Sequence, residues 1–170
     1  YIVATKPLDD ETVQKINPKD IAFADSRFVI NYFRMSADKR LLFGGGENYS
    51  QELSKNIVPI VTRPLEKIYP FLKGVKIDYA WGGKLAITMN RLPFFKTLKN
   101  ERVISALGYS GQGVALASYS GKIVSEKILG SGKTFDLMAK IPRQSFPGGR
   151  FLRNPSMKLG MLYYSLLDRI

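Results

Sequence analysis

Residues 103–117 read Val-Ile-Ser-Ala-Leu-Gly-Tyr-Ser-Gly-Gln-Gly-Val-Ala-Leu-Ala. The stretch opens as a short strand and passes through Gly108-Tyr109-Ser110-Gly111-Gln112-Gly113. An apolar, small-residue run then predicts a helix from Val114 to Leu129. Strand, glycine turn and helix N-terminus together present free amide N–H groups and the positive helix end to negative charge. The spacing G-x-x-G-x-G reverses the dinucleotide fingerprint G-x-G-x-x-G. Taken alone the pattern favours a tight structural turn by a narrow margin over a site; as a site, it would partner an anionic headgroup or a ring carbonyl rather than an adenosine pyrophosphate.

On its C-terminal side, Gly130-Ser131-Gly132-Lys133-Thr134 resembles the end of a phosphate loop. That pattern needs glycine at 127, where the chain has Lys127, and a strand before it rather than a helix. These glycines are read as ending the helix. A last helix is expected from Pro155 at its first position, capped by Asn154. On the N-terminal side, Val75 to Met89 predicts one or two strands broken at Gly82-Gly83, beside the single tryptophan, Trp81. A hairpin is expected from 28–35 and 40–45 through Ser36-Ala37-Asp38-Lys39. Ser50 to Leu72 predicts a helix with Ile57, Val61, Leu65, Ile68 and Leu72 on one face, although Pro59 and Pro64 obscure its start. Asp10 to Lys15 reads as a short helix or turn. Tyr1 to Thr5 reads as a strand closed by Pro7, and Arg102 to Leu107 as a short buried strand. An opening in mid-strand leads to the expectation that the chain is the C-terminal part of a longer polypeptide.

The 170 residues are 45% hydrophobic and 24% charged, which excludes disorder and low complexity. No apolar run approaches the roughly 20 residues of a membrane span. Cysteine and histidine are absent, which removes disulfides, thiolate and imidazole metal sites, cysteine nucleophiles and Ser-His-Asp triads. No metal site is expected. The charge is +12, but the cations are spread singly and mixed with acids, as in Leu65-Glu66-Lys67. That pattern favours a solvated surface, or a face neutralised by an acidic partner, over a nucleic-acid stripe.

Taken in order, Tyr1 to Leu8, Arg40 to Gly46, Asp78 to Gly83, Arg91-Leu92-Pro93, Gly108 to Gly113 and Phe146-Pro147-Gly148-Gly149-Arg150 resemble one family. They are similar to the C-terminal half of FAD-dependent oxidoreductases of the D-amino-acid oxidase and sarcosine oxidase type. The nearest branch is the gamma-glutamylputrescine oxidase-like proteins. The resemblance implies an α+β fold: a mostly antiparallel substrate-domain sheet with flanking helices, plus the last strand and helix of a Rossmann-like FAD domain whose N-terminal part is missing. It implies a partial substrate domain at 1–95, the strand-turn-helix of the FAD domain at 96–130, and a loop and helix at 131–170.

The resemblance assigns Gly108, Ser110, Gly111, Gln112, Gly113 and Val114 to the flavin N1–C2=O edge, where hydride transfer adds negative charge. Trp81, Gly82, Gly83 and Arg91 are expected to border the ring as well, all within the largest concave site. Tyr32 and Arg34 are candidate substrate residues; no catalytic residue is assigned. The implied reaction takes hydride from the carbon beside an amine and leaves an imine that hydrolyses. In the sarcosine-oxidase branch a lysine two residues after the last motif glycine holds the substrate carboxylate; here that position is Ala115. The oxygen-activating lysine of that branch has no counterpart in Arg40 to Gly44. An amine without that carboxylate is expected, and oxidase against dehydrogenase stays open. FAD is expected to be non-covalent and absent from this chain alone, which is then inactive. The expected partners are the missing N-terminal half, a small amine and a second copy in a homodimer, with no nucleic acid or membrane, in the cytoplasm. The rival readings are a basic binding module and a structural subunit docked on a separate FAD-binding chain.

Overall fold

Tyr1-Ile2-Val3-Ala4-Thr5 forms a strand because β-branched and aromatic side chains suit a pleated, half-buried surface. In the computed structural model, which describes residues 1–27, 30–46, 53–98, 100 and 102–167, this strand is β1, Ile2–Thr5. It lies inside a five-stranded sheet of order β2-β3-β4-β1-β5, with β2 at Phe23–Ala24, β3 at Tyr32–Met35, β4 at Leu41–Gly44 and β5 at Ile77–Trp81. Every pairing in it is antiparallel. The expected hairpin is present as β3 and β4; its residues 28 and 29 lie outside the described residues.

The chain divides into two compact units, Tyr1–Gly83 with Asn154–Ile170, and Lys84–Arg153. In the first unit, α1 (Asp10–Ile16) starts at Asp9, whose carboxylate accepts from the Thr12 amide at 2.8 Å. Helix α2 (Val58–Ile68) carries Pro59 in its first turn, where a missing N–H costs nothing. It is shorter than the expected 50–72. Pro70–Leu72 forms a separate 3-10 turn after the chain breaks at Tyr69, and residues 50–52 lie outside the described residues.

Alternation along the strands sends Val3, Met35, Leu41 and Phe43 to one face, where they meet Val61 and Leu65 of α2. Burying a side chain as fully as Phe43 stabilises by about 1.5–3 kcal/mol. Phe33 stacks on Phe43 with ring centroids 5.3 Å apart. At the sheet's end Arg40 joins three segments: its guanidinium donates to the Thr5 carbonyl at 2.9 Å, to Asp38 at 2.6 Å and to Asp78. Hydrogen bonds to the Asp78 carboxylate, then to that of Asp38, make the Arg40 guanidinium hold its proton more firmly than usual.

In the second unit β6 (Phe94–Leu98) and β7 (Val103–Leu107) make an antiparallel pair. Helices α3 (Gly113–Ile128) and α4 (Lys133–Ala139) accompany it. Phe95, Ile123 and Phe135 form the core, with the two phenylalanine rings edge-to-face at 5.6 Å. Strand β7 was expected to be buried, yet Val103 and Leu107 at its ends are 41% and 47% exposed, because β6 is its one partner among the described residues. Residues 84–95 pack in this unit, where β6 pairs with β7.

Gly130, with φ +87°, ends α3: its amide donates to Lys127 and the Ser131 amide donates to the Glu126 carbonyl at 2.9 Å. The glycines after α3 therefore close a helix, as the spacing implied. The last helix corrects the expected start. Helix α5 runs Gly149–Leu167, so Asn154 is not its cap and Pro155 lies inside it. The Gly149 amide donates to the Phe146 carbonyl at 2.8 Å and opens the helix early. Pro155 denies a donor to the carbonyl of Phe151, a residue 93% exposed, where water can replace it. Strands β2 and β6 and helix α4 were not anticipated. No helix among the described residues is long and apolar enough to cross a membrane.

Candidate functional site

Each unit brings together part of the set named from the sequence. In the second unit, β7 leads into the 108–113 turn and α3 leaves it, the order read from the chain. Three residues of the turn are left-handed: Gly108 at φ +78°, Ser110 at +52° and Gly111 at +92°. A Cβ on Gly108 would stand 2.6 Å from the Thr88 methyl, so glycine is needed there for space. At Gly111 a Cβ would meet nothing within 4 Å; backbone conformation alone selects glycine.

The turn is held from within and from one neighbouring segment. The Tyr109 hydroxyl donates to the Ala106 carbonyl at 2.9 Å, and the Gln112 amide donates to the Tyr109 carbonyl at 2.9 Å. The Ser110 amide donates to Ala86 at 3.1 Å, and the Thr88 amide donates to the Ser110 hydroxyl at 3.2 Å. Gln112 caps α3 without a side-chain hydrogen bond. The amides of Gly113, Val114 and Ala115 precede the first intrahelical partner and are left for an outside acceptor. Val114 is 96% exposed, so the approach is open. This donor row, with no side chain at Gly111 to obstruct it, fits the polar carbonyl edge of a flat ring such as a flavin. Arg91 lies in the same unit, exposed and at φ +60°, its amide donating to the Thr88 carbonyl at 3.1 Å.

In the first unit the strand register aligns Tyr32, Gly44, Ile2 and Trp81 in one row across β3, β4, β1 and β5. The next row on that face is Arg34, Leu42, Ala4 and Tyr79. Gly44 makes room for Tyr32: a Cβ there would stand 2.1 Å from the Tyr32 ring. Tyr32, Arg34 and Trp81 consequently line one cavity of about 210 Å³ with Ile2, Leu42 and Gly44. Its walls are apolar, and the Arg34 Nε–H donates to the Met35 carbonyl at 3.2 Å. Gly82 is needed for space, since a Cβ would meet the Tyr1 ring at 2.5 Å, whereas a Cβ on Gly83 would meet nothing within 4 Å.

A second cavity of the first unit measures about 380 Å³. Phe23, Asp25, Asn31, Phe33 and Lys67 are among its walls, and none of the residues assigned to the flavin or substrate is. It exists because β2 has two residues and leaves Pro64 and Ile68 of α2 uncovered. Sequence reasoning also missed Ala86 and Thr88. They lie in an irregular stretch without periodicity, and only the register of their hydrogen bonds reveals them.

Residues 1–127 match the family described as FAD dependent oxidoreductase, DAO. This chain belongs to that family. Among curated members, the gamma-glutamylputrescine oxidoreductase of Escherichia coli (strain K12) is 37% identical over 169 residues, which are 99% of this chain and 39% of that protein. A probable oxidoreductase OrdL of Rhizobium meliloti (strain 1021) is 42% identical over 155 residues, 91% of this chain and 36% of that protein. This DAO-family chain thus spans less than two-fifths of the length of each. The L-proline dehydrogenase from P. horikoshii aligns with a TM-score of 0.59 at 22% identity, over 79% of this chain and 36% of that one. That likeness shows a shared mixed helix and antiparallel-sheet fold.

Proposed function

We propose that this chain forms the flavin-ring and substrate side of an FAD-dependent amine oxidoreductase. The nucleotide end of FAD is then held by residues outside the chain, which contains no G-x-G-x-x-G. The observation that carries the reading is the open donor row at Gly113, Val114 and Ala115, behind a turn kept clear by Gly111. The amides of Gly113, Val114 and Ala115 would hold the ring edge of FAD, which would supply a hydride acceptor for the carbon beside the amine, leaving an imine to hydrolyse.

The chain's own part is electrostatic and steric. The first-turn amides and the positive end of α3 offset negative charge at the ring edge without any titratable side chain. That suits a chain with no histidine. Having no cysteine or histidine, it also offers no side chain for a thioether or histidyl link to the flavin. The apolar cavity beside Tyr32 and Trp81 takes the methylene stem of a small amine. Ala115 offers no cation to a carboxylate at that point. The substrate class is therefore an amine that does not depend on an adjacent carboxylate, like the gamma-glutamylated diamine that names the Escherichia coli relative.

The test is anaerobic reduction of the FAD-loaded, full-length protein, followed by bleaching of its flavin absorbance. Gamma-glutamylputrescine should bleach it faster than any α-amino acid. Faster bleaching by an α-amino acid overturns the substrate assignment, and a protein without flavin overturns the reading as a whole.

A further inference from the structure

Segment 84–92 is neither helix nor strand up to its final turn, yet it is tied to the glycine turn by two hydroxyls. The Thr88 amide donates to the Ser110 Oγ at 3.2 Å, and the two hydroxyl oxygens lie 3.3 Å apart. The Thr88 hydroxyl is 2.8 Å from the Leu92 carbonyl, and the Ser110 hydroxyl is 3.3 Å from that of Gly108. Each hydroxyl has one proton to give. Thr88 has a carbonyl acceptor at 2.8 Å for its own, which leaves Ser110 to donate across the pair or to Gly108. The same threonine's methyl closes over Gly108, which has no side chain to oppose it.

Ser110 has φ +52°, a left-handed conformation that a residue other than glycine keeps only with support. The support is the hydroxyl pair together with the Ser110 amide's bond to Ala86 at 3.1 Å. Ser110 precedes the free amides of α3 by three residues. A change in its backbone direction therefore turns the whole donor row.

We propose that Thr88 and Ser110 are a positioning pair, whose hydroxyl contact fixes the direction in which the turn's donors meet the flavin edge. This rests on the reading of 108–113 as the flavin-edge turn. Neither side chain takes part in the chemistry. Their effect is on how well the amides offset the negative charge that reduction adds, so it is read in the midpoint potential of the bound flavin.

The experiment compares Thr88→Val, Thr88→Ser and Ser110→Gly in the FAD-loaded, full-length protein, by potentiometric titration and thermal melting. Thr88→Val keeps the shape and removes the hydroxyl. Its expected effect is about a tenfold loss of preference for the reduced cofactor, the scale of one hydrogen bond. That is about 30 mV more negative for a two-electron couple. Thr88→Ser keeps the hydroxyl and should hold the wild-type potential. Ser110→Gly relieves the left-handed strain, so it folds at least as well, and it should still lower the potential. An unchanged potential in Thr88→Val and Ser110→Gly, whatever their melting temperatures, overturns the proposal. So does an equal shift in Thr88→Ser, which keeps the hydroxyl, because the potential then does not follow the hydroxyl contact. A wild-type protein purified without flavin overturns the parent reading, and the pair's role with it.

Discussion

Among the described residues, eight buried apolar side chains meet in the core of the first unit, but three in the second. The first unit closes a sheet face with α2 and buries Val3, Leu41, Phe43, Val61 and Leu65 completely. In the second, α3 carries an exposed Val114 in its first turn and ends near Ile128 and Leu129, exposed by 68% and 82%. Backbone donors that are to reach a ligand must stay open to it, and the side chains flanking them then cannot be core. Secure packing and accessible amides are competing uses of the same residues, and this chain assigns them to different units.

Three substitutions sharpen that contrast. The largest effect is expected from Phe43→Ala, at a position with no exposed surface. It should cost about 3–5 kcal/mol of unfolding free energy in denaturant titrations. Hydrogen exchange should show the loss in β1, β4 and α2, leaving α3 amides near their former protection. Equal losses in both units would break the contrast. Gly111→Val comes next, because φ is +92° there while the space is free. Its strain should cost about 1–2 kcal/mol, while flavin binding or reduction in the full-length protein falls by more than that strain explains. A variant that unfolds, or turns over as the wild type does, makes the turn structural.

The smallest effect belongs to Asp38, fully outside either core. The Ser36 hydroxyl, then Arg40, holds its carboxyl below the usual 3.8. A lowered folded value adds stability that is complete above 3.8 and fades as pH falls through that lowered value. Asp38→Asn should therefore melt slightly earlier at neutral pH, and the two melting curves should converge in acid below 3.8.

Much of this architecture is legible in the chain because it follows from local chemistry. The β-rich runs 28–35 and 40–45, joined by the four residues Ser36 to Lys39, mark a hairpin, and glycines after an apolar run mark the two ends of α3. What is not legible depends on distance. Strand β6, 94–98, is told from the stretch before it only by its partner β7. Strand β2 has two residues and no pattern of its own. Pro155 reads as a helix start because proline favours the first turn, and the bonds at 146–152 that start the helix earlier carry no such signal. At the candidate site, glycine spacing marks the turn, and pairing across four strands joins Tyr32 to Trp81, which no local pattern encodes.

The row that ends at Trp81 also has an optical side. Trp81 is the single tryptophan of the chain, it is 44% exposed, and it borders the cavity that Tyr32 shares. Indole emission in this chain therefore arises at one known edge of one sheet. A molecule entering the cavity displaces water from that indole, and the spectrum shifts to shorter wavelength. The fold thus carries an intrinsic, label-free gauge of occupancy in the first unit.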